Sequence, residues 1–532
     1  MALELLLLFA LGIISLLLFS RRALSHTHRV QHLLPPSPFA LPIIGHFHLL
    51  GPLIHRSFQA LSFRFGPIFS LRLGSVPCIV VTSPKLAKEF LKTHELSFVS
   101  RVQSAAIKRI TYDSSLAFSP YGPYWKFIKK VTVNELLSSR SVSKFHSIRA
   151  DEYSRLLRLL AERAKSCLAV NLSEELPRLC HNIIGQMMLG KYSTAASSST
   201  ERAEEARLVV REATRIFGEL NLCDFNMVWK KLDLQGFGKR IEDTHLKFDE
   251  LVEKVVMERE QLRIENNVQK TNGGEEKDEE VKDFLSILLD MLEDESGESV
   301  EVGFSRVHIK ALITDLFTAS TDTTAIAMEW ALAELINHPA VLEKAWEEID
   351  RVVGNGRIVE ESDGPNLPYI QAIIKETFRL HPPVPMVTRI SVEDCKVGEY
   401  VIPTNTILFV NNWAIGRDSK NWEKPLDFWP ERFLEGGDQT SGMDVRGQHF
   451  QFLPFGSGRR ICPGINLTMK MVPSLVGAMI QCFDWKVIPS KKMNNIDGVV
   501  EMDERPGLTT PRAHDLVCFP VARFNLLNIL KP

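Results

Sequence analysis

The chain has 532 residues, of which 45% are hydrophobic and 24% are charged, as in ordinary globular proteins. Its 63 lysines and arginines nearly balance its 65 aspartates and glutamates, so the composition predicts no nucleic-acid or other polyanionic partner. Its eight cysteines include no C-x-x-C spacing, which argues against zinc and thioredoxin-like sites. Scattered thiols in a long chain suit a reducing compartment.

The N-terminus carries an almost unbroken apolar run, residues 5–19, followed by Arg21 and Arg22. A signal peptide has its positive charge before such a run and a small-residue cleavage site after it. Basic residues after a span favour a cytoplasmic location for the rest of the chain. We therefore predict a signal-anchor helix over residues 1–22 rather than a cleaved signal peptide. Closely spaced prolines in residues 23–45 predict a stiff, extended hinge.

Strand and helix patterns alternate along the rest of the chain. Residues 67–81 and 401–410 are rich in β-branched and aromatic residues, and the first of them predicts a β-hairpin. Residues 150–265 are mostly of helical pattern, with a Ser/Thr/Ala-rich break at 194–200. The longest helical pattern covers residues 304–338, and another helix begins at Pro368. The polar residues 268–282 predict a solvated connection.

Small and hydroxyl-bearing residues interrupt the longest helical pattern at positions 319–324, Ala-Ser-Thr-Asp-Thr-Thr. Small side chains let another group approach the helix face. Mid-helix hydroxyls can take backbone hydrogen bonds and bend the helix. On its own, this pattern also fits a threonine-rich face whose hydrogen bonds are incidental.

Two pairs of residues have a spacing that places them on one helix face. Trp125 and Lys129 are four residues apart, and their N–H and ammonium groups can bind an anion. Glu376 and Arg379 are three residues apart and can form an ion pair. Taken alone, the first pair also fits a core tryptophan beside a solvated lysine, and the second a surface salt bridge.

The most informative stretch is Phe455 to Gly464, which has the pattern F-x-x-G-x-R-x-C-x-G. A cysteine thiolate such as Cys462 can be an axial ligand of haem iron. The glycines Gly458 and Gly464 let the backbone approach the sulfur and the porphyrin. Arg460 can pair with a haem propionate, and the phenylalanine at the start can shield the thiolate from water. A buried cysteine in a glycine-rich turn is the plainer alternative.

This stretch closely resembles the haem-binding loop of the cytochrome P450 family, and further family motifs occur in order along the chain. The resemblance implies a mainly α fold with small β-sheets, an N-terminal membrane anchor, a hinge and one catalytic domain over residues 46–532. It implies haem b with Cys462 as axial ligand and propionates contacted by Trp125, Lys129, Arg389 and Arg460. It also implies a buried network of Glu376, Arg379 and Arg432 behind the haem loop.

The resemblance implies roles on the substrate side as well. Asp322 and Thr323 match the acid–alcohol pair that relays protons to the site of oxygen activation, and the substrate pocket is implied for Ala319, Val384, Met386 and Thr509. The chain departs from the family pattern at three positions. They are Lys129, where arginine is commoner, Ser320, where glycine is frequent, and Thr468, where close relatives often have alanine.

The family's activity is monooxygenation with O2 and with NADPH-derived electrons from a separate reductase, at the cytosolic face of the endoplasmic reticulum. No flavin or nicotinamide site is evident here, because Gly354-Asn355-Gly356 lacks the third glycine of G-x-G-x-x-G, which is Val359. Two other classes remain: a P450-fold isomerase or dehydratase that needs no O2, and a haem binder without catalysis.

Local stretches resemble the plant microsomal P450s that modify flavonoids. Residues 51–55, 232–237 and 321–325 are most similar to flavone synthase II, 112–115 to the isoflavone branch and 444–446 to pterocarpan hydroxylases. Aryl-migrating relatives tend to have lysine where this chain has Thr388. The hypothesis is oxidation of a flavanone such as naringenin at C2 to a flavone. Flavanone 2-hydroxylase, 2-hydroxyisoflavanone synthase and pterocarpan or triterpenoid hydroxylase remain alternatives.

Overall fold

The computed structural model describes residues 34–190, 200–219, 221–225, 233, 235–271, 282–294, 297–434, 442–487 and 498–524. The predicted signal anchor, residues 23–33 of the hinge, residues 194–199 of the predicted break and residues 272–281 of the predicted connection lie outside this part of the chain. Among the helices it does describe, none is long and apolar enough to cross a membrane.

Sixteen α-helices in the described ranges carry most of the regular structure. They span Ile54–Phe65 (α1), Pro84–Lys88 (α2), Ala105–Ile110 (α3), Pro123–Thr132 (α4), Ser139–Lys144 (α5), His146–Lys165 (α6), Leu172–Leu189 (α7), Thr200–Gly218 (α8), Phe237–Thr271 (α9), Phe284–Glu293 (α10), Glu298–Glu301 (α11), Arg306–Asn337 (α12), Pro339–Val352 (α13), Pro368–Leu380 (α14), Asn412–Ile415 (α15) and Ile465–Cys482 (α16).

Nine strands in the same ranges form three small sheets. They span Ile68–Leu73 (β1), Val76–Val81 (β2), Val170–Asn171 (β3), Met386–Ile390 (β4), Cys395–Val397 (β5), Tyr400–Ile402 (β6), Ile407–Asn411 (β7), Phe483–Val487 (β8) and Val517–Ala522 (β9). The largest sheet has the order β1-β2-β7-β4, and β1 and β2 form the predicted antiparallel hairpin. The fold is therefore mainly α with small β-sheets, as predicted.

Proline sets two of the helix boundaries. Pro339 and Pro368 occupy the first turns of α13 and α14, where no backbone N–H is required of them. The predicted long helix is confirmed as α12, with 32 residues. However, α9 is longer, with 35 residues, and it includes residues 268–271, which we predicted to be part of a solvated connection.

Helix α12 runs through the main core and is buried on nearly all sides, with Trp330 and Leu332 at 0% exposure. A helix that is apolar all round belongs in the interior of a large protein. Around Ala319 this burial is interrupted: Ala319 is exposed, and Ser320 and Thr323 are half-buried. The small residues therefore mark the part of α12 that is open to a ligand.

The described end of the predicted hinge is attached to the first strand. The Ser70 backbone N–H donates to the Pro36 carbonyl at 2.8 Å, and the Ser70 hydroxyl donates to the Pro35 carbonyl at 2.9 Å. Because prolines have no backbone N–H, these two residues can contribute only carbonyl acceptors to the pairing. The described end of the stiff hinge is thus attached to β1.

Candidate functional site

Cys462 lies in the loop of residues 455–464 that leads into α16, here called the Cys462 loop. The Cys462 N–H donates to the Phe455 carbonyl at 3.0 Å and closes the loop. Burial raises the pKa of the Cys462 thiol, whereas the Gly464 N–H and the charges of Arg101 and Lys129 lower it. A Cβ placed on Gly464 would lie 3.7 Å from the sulfur, so the backbone comes close to it, as predicted.

Gly458 has a structural use that the sequence did not predict. Its φ of +71° favours glycine, and a Cβ at this position would collide with the carboxylate of Glu95. The missing side chain therefore makes room for Glu95, and the approach to the sulfur and a porphyrin stays a prediction. Phe455, predicted to shield the thiolate, packs edge-on against Phe378 with ring centroids 5.3 Å apart.

Three arginines, Arg101, Arg389 and Arg460, form what we call the arginine cluster beside Cys462. Arg101 and Arg389 both donate to the Thr388 carbonyl, at 2.9 and 3.0 Å. Arg460 donates to two backbone carbonyls at 2.9 and 2.6 Å. Burial lowers the pKa of Arg101 to about 10 and that of Arg460 to about 9, and it also lowers the pKa of Arg389.

The arginine cluster has unused donors. Within the described residues, Arg101 Nε and Arg460 Nη1 are buried and have no hydrogen-bond partner. A buried cation requires a counter-charge, and an unpaired buried donor carries a desolvation cost. The carboxylates of haem would supply both beside Cys462, the predicted iron ligand, so these residues fit the cofactor. Sequence reasoning missed Arg101, because it lies in an irregular stretch without a periodic pattern.

Trp125 and Lys129 lie beside this cluster on α4, and each donates a hydrogen bond to a backbone carbonyl. The Trp125 indole N–H donates to the Leu116 carbonyl at 2.9 Å, and the Arg460 guanidinium lies 4.1 Å from the ring centroid. Lys129 Nζ donates to the Arg459 carbonyl. Both residues therefore support Arg460 and the Cys462 loop, and their direct contacts with the cofactor stay a prediction.

Glu376, Arg379 and Arg432 come together as predicted and are called the Glu376 network. Arg379 Nη2 lies 2.7 Å from Glu376 Oε1, and Arg432 Nε lies 3.1 Å from the same oxygen. The Trp429 N–H also donates to Glu376 Oε1 at 2.8 Å. The side chains of Glu376 and Arg379 are 0% exposed. Arg379 further donates to three backbone carbonyls, so these buried charges are paired and hydrogen-bonded.

The predicted acid–alcohol pair lies on the open part of α12. The Thr323 hydroxyl donates to the Ala319 carbonyl at 2.7 Å, and α12 continues as one α-helix through this point. Burial raises the pKa of Asp322, and the charges of Arg211 and Arg505 oppose that rise. A hydroxyl and a carboxyl with a raised pKa thus occupy neighbouring positions on this part of the helix, and these are groups that can transfer protons.

The predicted pocket residues divide into two groups. The turns that contain Val384 and Thr509 are joined, because Thr510 donates from its N–H to the Pro383 carbonyl at 2.9 Å. Met386, by contrast, packs against the cluster around Phe58 on one face of the largest sheet. The next residue along β4, Val387, points to the other side, where a Cβ on Gly456 would lie 3.7 Å from it.

The chain resembles known proteins over nearly its whole length. The family model "Cytochrome P450" matches residues 35–518. The chain is 54% identical to cytochrome P450 93B2 of Gerbera hybrida, over 93% of each chain. It is 47% identical to 2-hydroxyisoflavanone synthase of Glycyrrhiza echinata, over 92% of each. A zebrafish cytochrome P450 solved with abiraterone superposes with a TM-score of 0.69 at 25% identity, over 88% of this chain and 100% of the other.

The comparisons agree with the geometry. A half-buried cysteine loop, an adjoining arginine cluster with free donors and an open helix face are what a thiolate-ligated haem and its substrate require. The match covers most of the chain and most of each relative. The chain therefore belongs to the cytochrome P450 family and is a haem-dependent monooxygenase.

Proposed function

We propose that this protein oxidises a flavanone at C2 to give a flavone. The flavanone loses its C2 and C3 hydrogens, NADPH supplies two electrons through a separate reductase, and O2 is reduced to two molecules of water. The observation that supports this best is the open face of α12 around Ala319, in a chain 47% identical to a 2-hydroxyisoflavanone synthase. Its similarity to flavone synthase II at residues 51–55, 232–237 and 321–325 supports the flavone product.

The cofactor for this reaction is haem b, which supplies the activation of O2 when it is bound. Cys462 would provide the thiolate ligand. Arg101, Arg389 and Arg460 would hold the propionates, and Arg101 Nε and Arg460 Nη1 are the donors free to do so. The Gly464 N–H, directed at the sulfur, would limit how strongly the thiolate donates electrons.

Asp322 and Thr323 would deliver the protons that the reduction of O2 consumes. The raised pKa of Asp322 keeps a proton available at higher pH than for an ordinary aspartate. The Thr323 hydroxyl, held by the Ala319 carbonyl, has a fixed position next to the open face. A proton then passes from the carboxyl to the hydroxyl and from there into the pocket.

Thr388 supports a reaction without aryl migration, because the aryl-migrating relatives tend to have lysine there. Thr388 is half-buried on β4, and its carbonyl holds Arg101 and Arg389. Loss of the C3 hydrogen gives the flavone, whereas retention of oxygen at C2 gives a 2-hydroxyflavanone. The two outcomes differ in substrate pose, to which reaction rates are sensitive on a scale of about 1 Å.

We further propose that residues 1–22 anchor the protein in the membrane of the endoplasmic reticulum, with the catalytic domain in the cytosol beside the reductase. The apolar residues 5–19 and the basic Arg21 and Arg22 support this orientation.

The test is turnover of naringenin by microsomes that contain the protein and a plant P450 reductase, with and without NADPH, followed by mass spectrometry. We expect an NADPH-dependent loss of two hydrogens. A gain of one oxygen would assign flavanone 2-hydroxylation, and product without NADPH would indicate an isomerase or dehydratase. No product, together with the thiolate-type absorption band of the reduced carbon monoxide complex, would reject the flavanone. Cys462→Ala is the control that removes the band and the activity together.

A further inference from the structure

We propose that Glu95 is a positioning residue that holds the Cys462 loop in its ligating conformation. Its carboxylate contacts the backbone N–H and the guanidinium of Arg459 and fills the space beside Gly458. The inference rests on Cys462 as the haem ligand and is independent of the substrate proposed above.

Glu95 is itself held by a well-packed element. It precedes the short helical turn Leu96–Phe98, and its carbonyl accepts the Phe98 N–H at 3.2 Å. Phe98 is 1% exposed and packs edge-on against Phe90 with centroids 4.9 Å apart. The Glu95 side chain is only 18% exposed. The carboxylate is therefore presented to the Cys462 loop from a buried support rather than from a mobile surface chain.

Three successive residues before Ile461 and Cys462 are held by other parts of the chain. Gly458, at φ +71°, lies against Glu95 without a side chain. Arg459 is contacted at its N–H by Glu95 and at its carbonyl by Lys129. Arg460 is bound to two backbone carbonyls of residues 99 and 119. Since the chain direction into Cys462 is set by these residues, Glu95 acts on the sulfur through the backbone.

Glu95 also acts through its charge. Its carboxylate raises the pKa of Lys129 and of Arg389, against the lowering caused by burial and by neighbouring arginines. The two effects can be separated, because glutamine keeps an oxygen acceptor for the Arg459 N–H but carries no charge.

The experiment measures the thiolate-type band of the reduced carbon monoxide complex in the haem-loaded protein and the rate at which it converts to the protonated-thiol form. Glu95→Ala is expected to convert at least about fivefold faster than the wild type, equivalent to roughly 1 kcal/mol for one lost hydrogen bond. Glu95→Gln is expected to remain within about twofold of it. Arg459→Ala keeps the backbone N–H and removes the guanidinium, which is 48% exposed and also bonds Tyr121, so this variant is expected to behave as the wild type.

The outcomes distinguish the possible roles. Equal conversion rates for the Glu95→Ala variant and the wild type would overturn the proposal. Equal acceleration by Arg459→Ala would assign the effect to the surface ion pair and would also overturn it. If the alanine variant does not fold, Glu95→Asp replaces it, because aspartate retains the charge but has a shorter reach. Glu95→Asp must then convert faster than Glu95→Gln. The reverse order would reject backbone positioning. A wild type without the thiolate band would instead reject Cys462 as the ligand.

Discussion

The Glu376 network and the arginine cluster both bury guanidinium groups, but they treat the charge in opposite ways. In the Glu376 network, one carboxylate lies 2.7 and 3.1 Å from two arginines, and backbone carbonyls take other donors of Arg379. In the arginine cluster, like charges lie close together, backbone carbonyls are the acceptors, and two buried nitrogens have no partner among the described residues.

This difference separates a structural network from a binding site. A buried charge that is paired and hydrogen-bonded is complete without a ligand, whereas a buried cation with free donors is favourable only when an anion arrives. The same loss of solvation lowers the pKa values of Arg101, Arg389 and Arg460. Removing a residue should therefore affect folding in the first region and cofactor binding in the second.

The largest effect is expected from Arg379→Ala. It leaves the Glu376 carboxylate buried with a weakened counter-charge, and such losses cost about 3–5 kcal/mol of unfolding free energy. The measurement is chemical unfolding of the purified protein. Arg178→Ala is the matched control, because Arg178 also lies 2.7 Å from a glutamate three residues away but is 35% exposed. It should cost less than about 1 kcal/mol, and equal losses in the two variants would contradict the contrast.

Arg389→Met should weaken haem binding without destabilising the fold. It removes a buried cation from among like charges, so the unfolding free energy of the haem-free protein should stay the same or rise. Haem affinity should fall roughly 10- to 100-fold, since hydrogen bonds to a charged group are worth about 1.5–3 kcal/mol. Haem transfer to an excess of apomyoglobin measures this affinity.

Arg417→Met is the control for that variant. Arg417 is also buried enough for its pKa to fall to about 9, but it stacks on Trp413 at 4.0 Å, away from the cluster. It should leave haem affinity unchanged. Equal loss of haem affinity in both variants would show that removing any buried arginine weakens haem binding. The arginine cluster would then have no special role.

Asp315 extends the comparison to a buried carboxylate that accepts hydrogen bonds from Ser115 and Leu116, at 2.7 and 2.5 Å. Burial raises its pKa to about 7. Between the ordinary aspartate pKa of about 4 and that value, the folded protein binds a proton that the unfolded chain does not. Stability should therefore fall as pH rises through this window, by at most about 1.4 kcal/mol per pH unit.

Asp315→Asn tests this sign, because the amide cannot titrate. Urea unfolding at several pH values inside the window should show a steeper decline for the wild type than for the variant. Parallel curves for the two proteins would show that Asp315 is ionised throughout.

The smallest effect is expected at Lys129, where relatives more often have arginine. Lys129→Arg keeps a donor for the Arg459 carbonyl and should change stability by no more than about 0.5 kcal/mol. Lys129→Met loses that donor and should cost about 1 kcal/mol. Thermal unfolding of the haem-loaded protein distinguishes the two, and identical melting temperatures would show that the contact contributes nothing.

Local patterns were sufficient to predict several parts of the molecule. The β1–β2 hairpin, the start of α14 at Pro368 and the Glu376–Arg379 pair each depend on residues within a few positions of one another. Two contacts were not foreseen from the sequence, for a shared reason. Gly458 makes room for Glu95, and Met386 packs on the face of the sheet opposite to Val387, because the partners in both cases come from distant segments.

Spacing along the chain was enough to identify the family, to predict Cys462 as the ligating cysteine and to predict the hairpin and the long helices, because each of these depends on residues close together in sequence. Tertiary packing was needed to bring Arg101 to Arg389 and Arg460, and to place Glu95 against Arg459. These contacts span several hundred positions of sequence, and no local periodicity encodes them. They arise because packing brings irregular segments against the Cys462 loop, where their charges are either paired or left free for a ligand.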